Sequence, residues 1–253
     1  MMESIDTIRD CFAGQETLDA CVDQAFSLLG ALGFEGLVYD YTPVPFDLDG
    51  SIMVPSLLTS RNMADDMNEY WCERGYGRID PIQKAAARTS VPFFWKFDKS
   101  ADTQIREFLT EDSEPVVHYM RQRDRTNGVT IPIHLPGGGY ATLNGIGFRR
   151  EVEFARDARH MADFGFLAHI FHECAFEHFD QSALRPNVTP LTERERECLR
   201  FSSHGLSAKE ISRIIDRSVP TVVMHLAAAT RKLGAKNRTQ AVVRATHYRM
   251  LDG

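Results

Sequence analysis

The sequence predicts two domains of different class: an α+β domain, an α-β-α sandwich around an antiparallel sheet with a ligand pocket, and then an all-α domain of four short helices. Three observations lead to this. Runs of aromatic and branched residues separated by turn residues lie between long helical segments in the first part of the chain. From residue 191 the apolar spacing is purely helical and is punctuated by cap residues and glycines. Charge divides the same way: from Val188 onward 12 Lys and Arg stand against 6 Asp and Glu, leaving 17 against 29 for the rest of a chain whose net charge is −6. An acidic body with a basic tail suits a chain in which the tail alone meets a polyanion.

In the first part, Leu18, Val22, Ala25, Leu29 and Leu32 recur at helical spacing, and Gly33 stops the helix. Phe34–Tyr41 reads as a strand ended by Pro43 and Pro45, with a second strand near Ser51–Thr59 and a helix near Asn62–Arg74. Asp80-Pro81 supplies an N-cap and a first-turn proline for a helix to Arg88. Residues 102–124 read as a helix that Pro115 must kink or split. Val129–Leu135 and Tyr140–Arg149 form a hairpin across Pro136-Gly137-Gly138-Gly139, and a long helix runs from Glu153 to about Phe179. The predicted division is an α+β domain over 1–178, a polar linker carrying two prolines over 179–190, and a helical domain over 191–253.

The 253 residues, 43% hydrophobic and 25% charged, suit a globular protein of two domains. No secretory signal opens the chain, no apolar run is long enough to span a bilayer, and the five cysteines lack CxxC spacing. The expectation is a cytoplasmic protein with reduced thiols and no membrane association.

In the helical domain, Thr192 with Glu195 and Ser207 with Glu210 are capping boxes. A break at Asp216–Ser218 precedes a third helix from about Val219 to Leu233, with Pro220 in its first turn, and a last helix covers about Thr239 to Met250. A tight break between the second and third helices is the layout of a helix-turn-helix, which sets the later helix in the DNA major groove. Leu191-Thr192, Arg194-Glu195, Leu199, Gly205, Ala208, Ile211-Ser212, Ser218, Thr221-Val222, His225, Arg231 through Ala235 and Asn237 through Ala241 together resemble the LuxR/FixJ-type DNA-binding domain. The resemblance implies a DNA-binding surface of Ser207, Lys209, Ser218, Thr221, Val223, Met224, His225, Ala227, Arg231, Lys232, Lys236 and Arg238. Thr221, His225, Arg231, Lys232, Lys236 and Arg238 are expected at phosphates. The apolar Val223, Met224 and Ala227 imply sparse guanine readout, with thymine methyls and DNA shape carrying more of the specificity.

The first domain lacks the acidic pair, strand-end Asp and later Lys of a phosphoacceptor receiver. Asp80-Pro81, Trp95, Gly128 and Thr130-x-Pro132 before the glycine-rich hairpin resemble instead the autoinducer-binding domain of quorum-sensing LuxR regulators. That resemblance implies a pocket in which Asp80 accepts a ligand amide N–H and Trp95 lines the lactone end. Receptors of acyl-homoserine lactones carry Trp thirteen residues before this Asp, Tyr nine before it, and often Tyr seventeen before it, where this chain has Met67, Trp71 and Met63. Losing the indole donor to a buried lactone carbonyl costs about 1–3 kcal/mol, or roughly 5- to 150-fold in affinity. The Met-and-Trp pattern resembles the plant-associated LuxR subgroup that lacks a partner lactone synthase. Thr130 is placed at the pocket, as is Asn144, at a position often Ser or Thr in the family; the expected ligand is a polar, non-lactone compound.

His169, His172, Cys174 and His178 have metal-ligand spacing, but five interleaved phenylalanines favour a packed helix, so neither a metal nor a cofactor is expected. The implied protein is a one-component transcription regulator and not an enzyme. It would bind an inverted-repeat DNA site as a homodimer and act with RNA polymerase. Two other readings stay open: an acyl-homoserine-lactone receptor with a repacked pocket, and a lactone or ester hydrolase with a regulatory tail.

Overall fold

Alternation along three strands decides the architecture of the first unit. In the computed structural model, which describes residues 5–147, 158–180, 183–186 and 188–251, the strands β1 (Gly36–Thr42), β2 (Leu57–Arg61), β3 (Phe93–Lys96), β4 (Asn127–His134) and β5 (Tyr140–Gly147) form one antiparallel sheet in the order β2-β1-β5-β4-β3. Leu37, Tyr39 and Tyr41 of β1, Val129, Ile131 and Ile133 of β4, and Ala141 and Leu143 of β5 share one core with α1 (Ile5–Phe12), α2 (Leu18–Ala31) and α6 (Ala158–Phe176). The intervening residues, among them Val38 and Ile146, meet a second core. There they pack with α4 (Pro81–Ala86) and α5 (Glu114–Arg121), while α3 (Tyr76–Ile79) lies between β2 and α4 in the chain. Because side chains alternate with period two, a strand buried on both faces must sit between two layers. The α-β-α sandwich is therefore as the sequence predicts.

The β4–β5 turn uses Gly137 and Gly138 at φ +84° and +91°, which a side chain rarely tolerates, and Leu135 N–H closes it onto Gly139 O at 2.8 Å. At Gly128 a Cβ would stand 2.5 Å from the Gly145 carbonyl oxygen and 2.6 Å from the Trp95 ring, so only glycine lets that ring lie flat on β4.

Some elements differ from the sequence reading. The second strand is Leu57–Arg61 rather than 51–59, because Pro55 cannot donate to a ladder; only a Phe46–Ile52 bridge forms before it. In place of a helix over 62–74 there is a π-helical turn, Glu69–Glu73, followed by Gly75 at φ +79°. Residues 102–124 form two 3₁₀ turns, Arg106–Phe108 and Glu111–Ser113, and then α5, where Pro115 occupies the first turn and so opens the helix rather than kinking it. Strand β3 and helix α1 were not anticipated. Four residues after Pro92 are too few to show a period, and β3 exists through its pairing with β4. The start of the long helix at Glu153 and the end of the hairpin at Arg149 lie outside the described residues.

By contact density the chain divides into Met1–Pro186 and Asn187–Gly253. The second unit consists of α7 (Glu193–Ser203), α8 (Ala208–Ile214), α9 (Val219–Lys232) and α10 (Arg238–His247). Both capping boxes form as the spacing predicts, and Ser218 and Asn237 cap α9 and α10. The α8–α9 turn passes through Asp216 at φ +50°. Leu199, Ile211, Val222, Leu226, Ala229 and Ala241 fill the core. Among the described residues, no helix is long and apolar enough to cross a membrane.

Candidate functional site

On the second face of the sheet, strand alternation gathers polar groups that a hydrophobic core would exclude. Asp40 on β1 faces Thr142 on β5, and Val38 faces Asn144, which in turn pairs with Thr130 on β4. All four polar residues are buried. Thr130 donates to Asn144 Oδ1, and Asn144 Nδ2 donates to Thr142 Oγ1 at 2.8 Å. Thr142 donates to Asp40 Oδ2, which also accepts from Gln83 Nε2 of α4 at 2.8 Å. Tyr140 reaches Gln83 Oε1 at 3.3 Å and extends the network.

Asp80 closes the other side. As the N-cap of α4 it accepts the Ile82 N–H through Oδ1 at 2.8 Å, and through Oδ2 it accepts the indole N–H of Trp71, also at 2.8 Å. Trp71 sits in the π-helical turn, edge-on to Tyr76 and Tyr119. Burial pushes Asp80 up to about 6, partly offset by the Trp71 and backbone hydrogen bonds. Burial pushes Asp40 up to about 7; hydrogen bonds from Thr142 and Gln83 oppose this and the nearby Asp80 charge adds to it. Two carboxylates thus lie in low-dielectric surroundings, each held by donors, and no cation among the described residues lies at salt-bridge distance from either.

Both line open space. A small cavity of about 20 Å³, room for roughly one water, is bordered by Val38, Asp40, Met67, Trp71, Asp80 and Asn144, among others. A second of about 10 Å³ shares Asp40, Trp71 and Gln83 with it and reaches Tyr140 and Met53. The structure therefore brings together Met67, Trp71, Asp80 and Asn144 of the sequence-predicted set. Thr130 lies behind Asn144 and reaches the cavity only through it. Met63 is half-buried at the margin of the second core and borders neither cavity. Trp95 is fully buried against Gly128, also outside both linings, and its indole N–H has no hydrogen-bond partner among the described residues. Asp40, Gln83 and Thr142 were missed by the sequence reading. The available signal was an acid inside the strand Leu37-Val38-Tyr39-Asp40-Tyr41, where charge is rare.

The second candidate surface is on the helical unit. Val222, Leu226 and Ala229 anchor α9 in its core, while Val219, Val223 and Met224 are exposed, the last two by 51% and 59%. Ala227, Arg231 and Lys236 are exposed too, as are Ser207, Lys209 and Ser218 at or beside helix starts; Thr221 and His225 are half-buried. Two residues assigned to phosphates are engaged within the unit. Lys232 Nζ lies 2.8 Å from Glu195 Oε2 and ties the end of α9 to the α7 capping box. Arg238 bonds Ser202 Oγ and the Leu206 carbonyl. Both sit at helix ends, Lys232 closing α9 and Arg238 opening α10, and their charges bind oxygen atoms of their own domain.

Comparison with known proteins now bears on both sites. Residues 17–175 match the family model described as "Autoinducer binding domain", and residues 189–245 match "Bacterial regulatory proteins, luxR family". The chain is 30% identical over 257 residues to the transcriptional activator protein BjaR1 of Bradyrhizobium diazoefficiens, covering 99% of this chain and 96% of that one. The chain is a LuxR-family transcriptional regulator. This regulator is also 29% identical to the transcriptional activator protein VanR of Vibrio anguillarum, over 79% of this chain and 82% of VanR. Its fold is that of Escherichia coli SdiA, with a TM-score of 0.62 at 18% identity over 98% of both chains. CepR2 of Burkholderia cenocepacia, described as N-acylhomoserine lactone dependent, aligns with a TM-score of 0.50 at 19% identity over 69% of this chain and 94% of its own. The regulator thus carries a ligand-binding domain and a helix-turn-helix, and the relatives named are transcriptional regulators, not enzymes.

Proposed function

We propose that this LuxR-family regulator responds to a small, polar compound rich in hydrogen-bond donors rather than to an acyl-homoserine lactone. The observation that carries this reading is Asp40, a buried carboxylate on the cavity wall, close enough to Asp80 that the two charges interact. When ionised, Asp40 only accepts hydrogen bonds; Thr142 and Gln83 already donate to its Oδ2, and hydrocarbon set against its other oxygen would cost of the order of 2–7 kcal/mol for a polar atom left unmatched. An acyl lactone offers one amide N–H and a long apolar tail; it satisfies one of the two acids and buries the other. Met67 in place of a donor points the same way, and the indole of Trp71 is already spent on Asp80.

A donor-bearing ligand lying between Asp40 and Asp80 would shift the sensor, and the helical unit would bind an inverted-repeat promoter site as a homodimer in the cytoplasm and act on RNA polymerase there. At the DNA, Val223, Met224 and Ala227 would meet base edges and thymine methyls, with Arg231 and Lys236 at phosphates. Calorimetry of the purified chain with short- and long-chain lactones, against fractions of plant extract, tests the ligand class. Enthalpy of binding only in polar plant fractions is expected; tight, saturable lactone binding would overturn it. Mass spectrometry of small molecules released on denaturation identifies the occupant directly. Footprinting that shows several guanine contacts from α9 would overturn the DNA reading.

A further inference from the structure

On the opposite face of the sheet, away from the cavity, α2 and α6 bring two thiols together. Cys21 Sγ, fully buried, lies 2.7 Å from Cys174 Sγ, inside the normal contact distance of two sulfur atoms. His178, which follows α6, places a ring nitrogen beside them, so that three ligand atoms lie within 4.8 Å of one another. Its Nε2 is 3.1 Å from the Gln15 carbonyl oxygen, which can only accept; that contact fixes the tautomer with a proton on Nε2 and leaves Nδ1 bare. A histidine that donates one ring N–H to a carbonyl and offers the other nitrogen is the usual arrangement around a bound metal ion.

We propose that Cys21, Cys174 and His178 form a site for one thiophilic divalent ion of the zinc type, which ties α2 to the end of α6. Thiolate and imidazole ligands at about 2.3 and 2.1 Å around a tetrahedral ion stand roughly 3.5–3.8 Å apart, so the two sulfurs, 2.7 Å apart here, would separate by about 1 Å on loading, while the imidazole nitrogen is already within reach. The fourth position is open to water or to the exposed Glu177, whose charge is felt at Cys21. A disulfide would use the two sulfurs alone and would give the carbonyl-held imidazole no part. Two of the other candidates in the His-rich helix are excluded by the same geometry: His172 Nδ1 is bonded to Tyr39 Oη at 2.7 Å, and His169 is not among the converging atoms. The site was invisible along the sequence because Cys21 and Cys174 are 153 residues apart. Since the thiols must ionise to bind, loading releases protons. Because His178 follows α6 in the segment leading toward the helical unit, the ion would hold that exit to the sensor's helical layer.

The test uses the full chain stripped with a chelator and titrated with Zn²⁺ against a chromophoric competitor, and in parallel with Co²⁺. One equivalent per chain is expected, with a thiolate-to-cobalt charge-transfer band and two of the five thiols protected from a thiol reagent. Cys174→Ser and His178→Ala should each weaken Zn²⁺ binding at least about tenfold, whereas Cys198→Ser should leave it unchanged. A cobalt complex of the unsubstituted chain without the thiolate band would overturn the proposal. So would undiminished binding in Cys174→Ser, or a Cys21–Cys174 disulfide in peptide maps of freshly isolated protein.

Discussion

The two units are stabilised at different ranges along the chain. In the helical unit, each helix start is fixed by a residue three positions away: Thr192 with Glu195, Ser207 with Glu210, Ser218 with Thr221, Asn237 with Gln240. In the sensor unit, the polar groups are satisfied across 43 residues, between Gln83 and Asp40, or 102, between Thr142 and Asp40. Local caps each contribute about 1 kcal/mol and fail singly. A buried network is coupled: removing one member leaves others unpaired in a low dielectric, so its members fail together. The unit that reads DNA is thus tolerant piece by piece, and the unit that holds the ligand is not.

The sharpest way to break this contrast is Gly128→Ala. With the new methyl carbon 2.5 Å from a backbone oxygen, the sensor unit should lose about 3 kcal/mol or more. Separate unfolding transitions in denaturant, read by tryptophan fluorescence for the sensor and by helical circular dichroism, should show the helical unit unmoved. Next, Asp80→Ala strips the N-cap of α4 and orphans the Trp71 indole N–H, for an expected loss of about 2–3 kcal/mol. If the loss is below 1 kcal/mol, the carboxylate is not the anchor the geometry makes it.

Asp40→Asn is expected to stabilise the ligand-free sensor, and its pH dependence has a definite sign. The folded pKa of about 7 lies above the ordinary 3.8, so the folded state holds a proton that the unfolded state releases between those values. Wild-type stability from this group is therefore present below about pH 4 and is lost as pH rises to 7. The advantage of Asn over Asp should grow across that window to roughly 4 kcal/mol and then stay level. A gap independent of pH would mean that Asp40 titrates normally. The smallest effect belongs to the helical unit, where Thr192→Ala should cost about 1 kcal/mol with no change in the sensor's transition. A loss of several kcal/mol there would erase the contrast.

Legibility followed the same division. Caps and turns are local, so α7–α10, the Asp80–Pro81 helix start and the glycine hairpin could be read from spacing within a few residues. Strand β3 is four residues long and is stable because β4 is beside it; nothing in Phe93–Lys96 shows that. Trp71 could be singled out as a departure from the family pattern, but not that its indole would bond Asp80. Asp40 was overlooked because a single acid in an aromatic strand has no partner visible along the chain.

The sequence by itself determined the two-domain organisation, the helix-turn-helix, the class of each domain and the Asp80 end of the cavity, since these depend on periodicity, caps and motifs that act over a few residues. Only the tertiary structure decided which polar groups share the cavity, that Lys232 and Arg238 serve their own domain, and that Cys21 meets Cys174. The longest of those pairings joins residues 153 positions apart. Their energies come from burial, which no local stretch of sequence specifies.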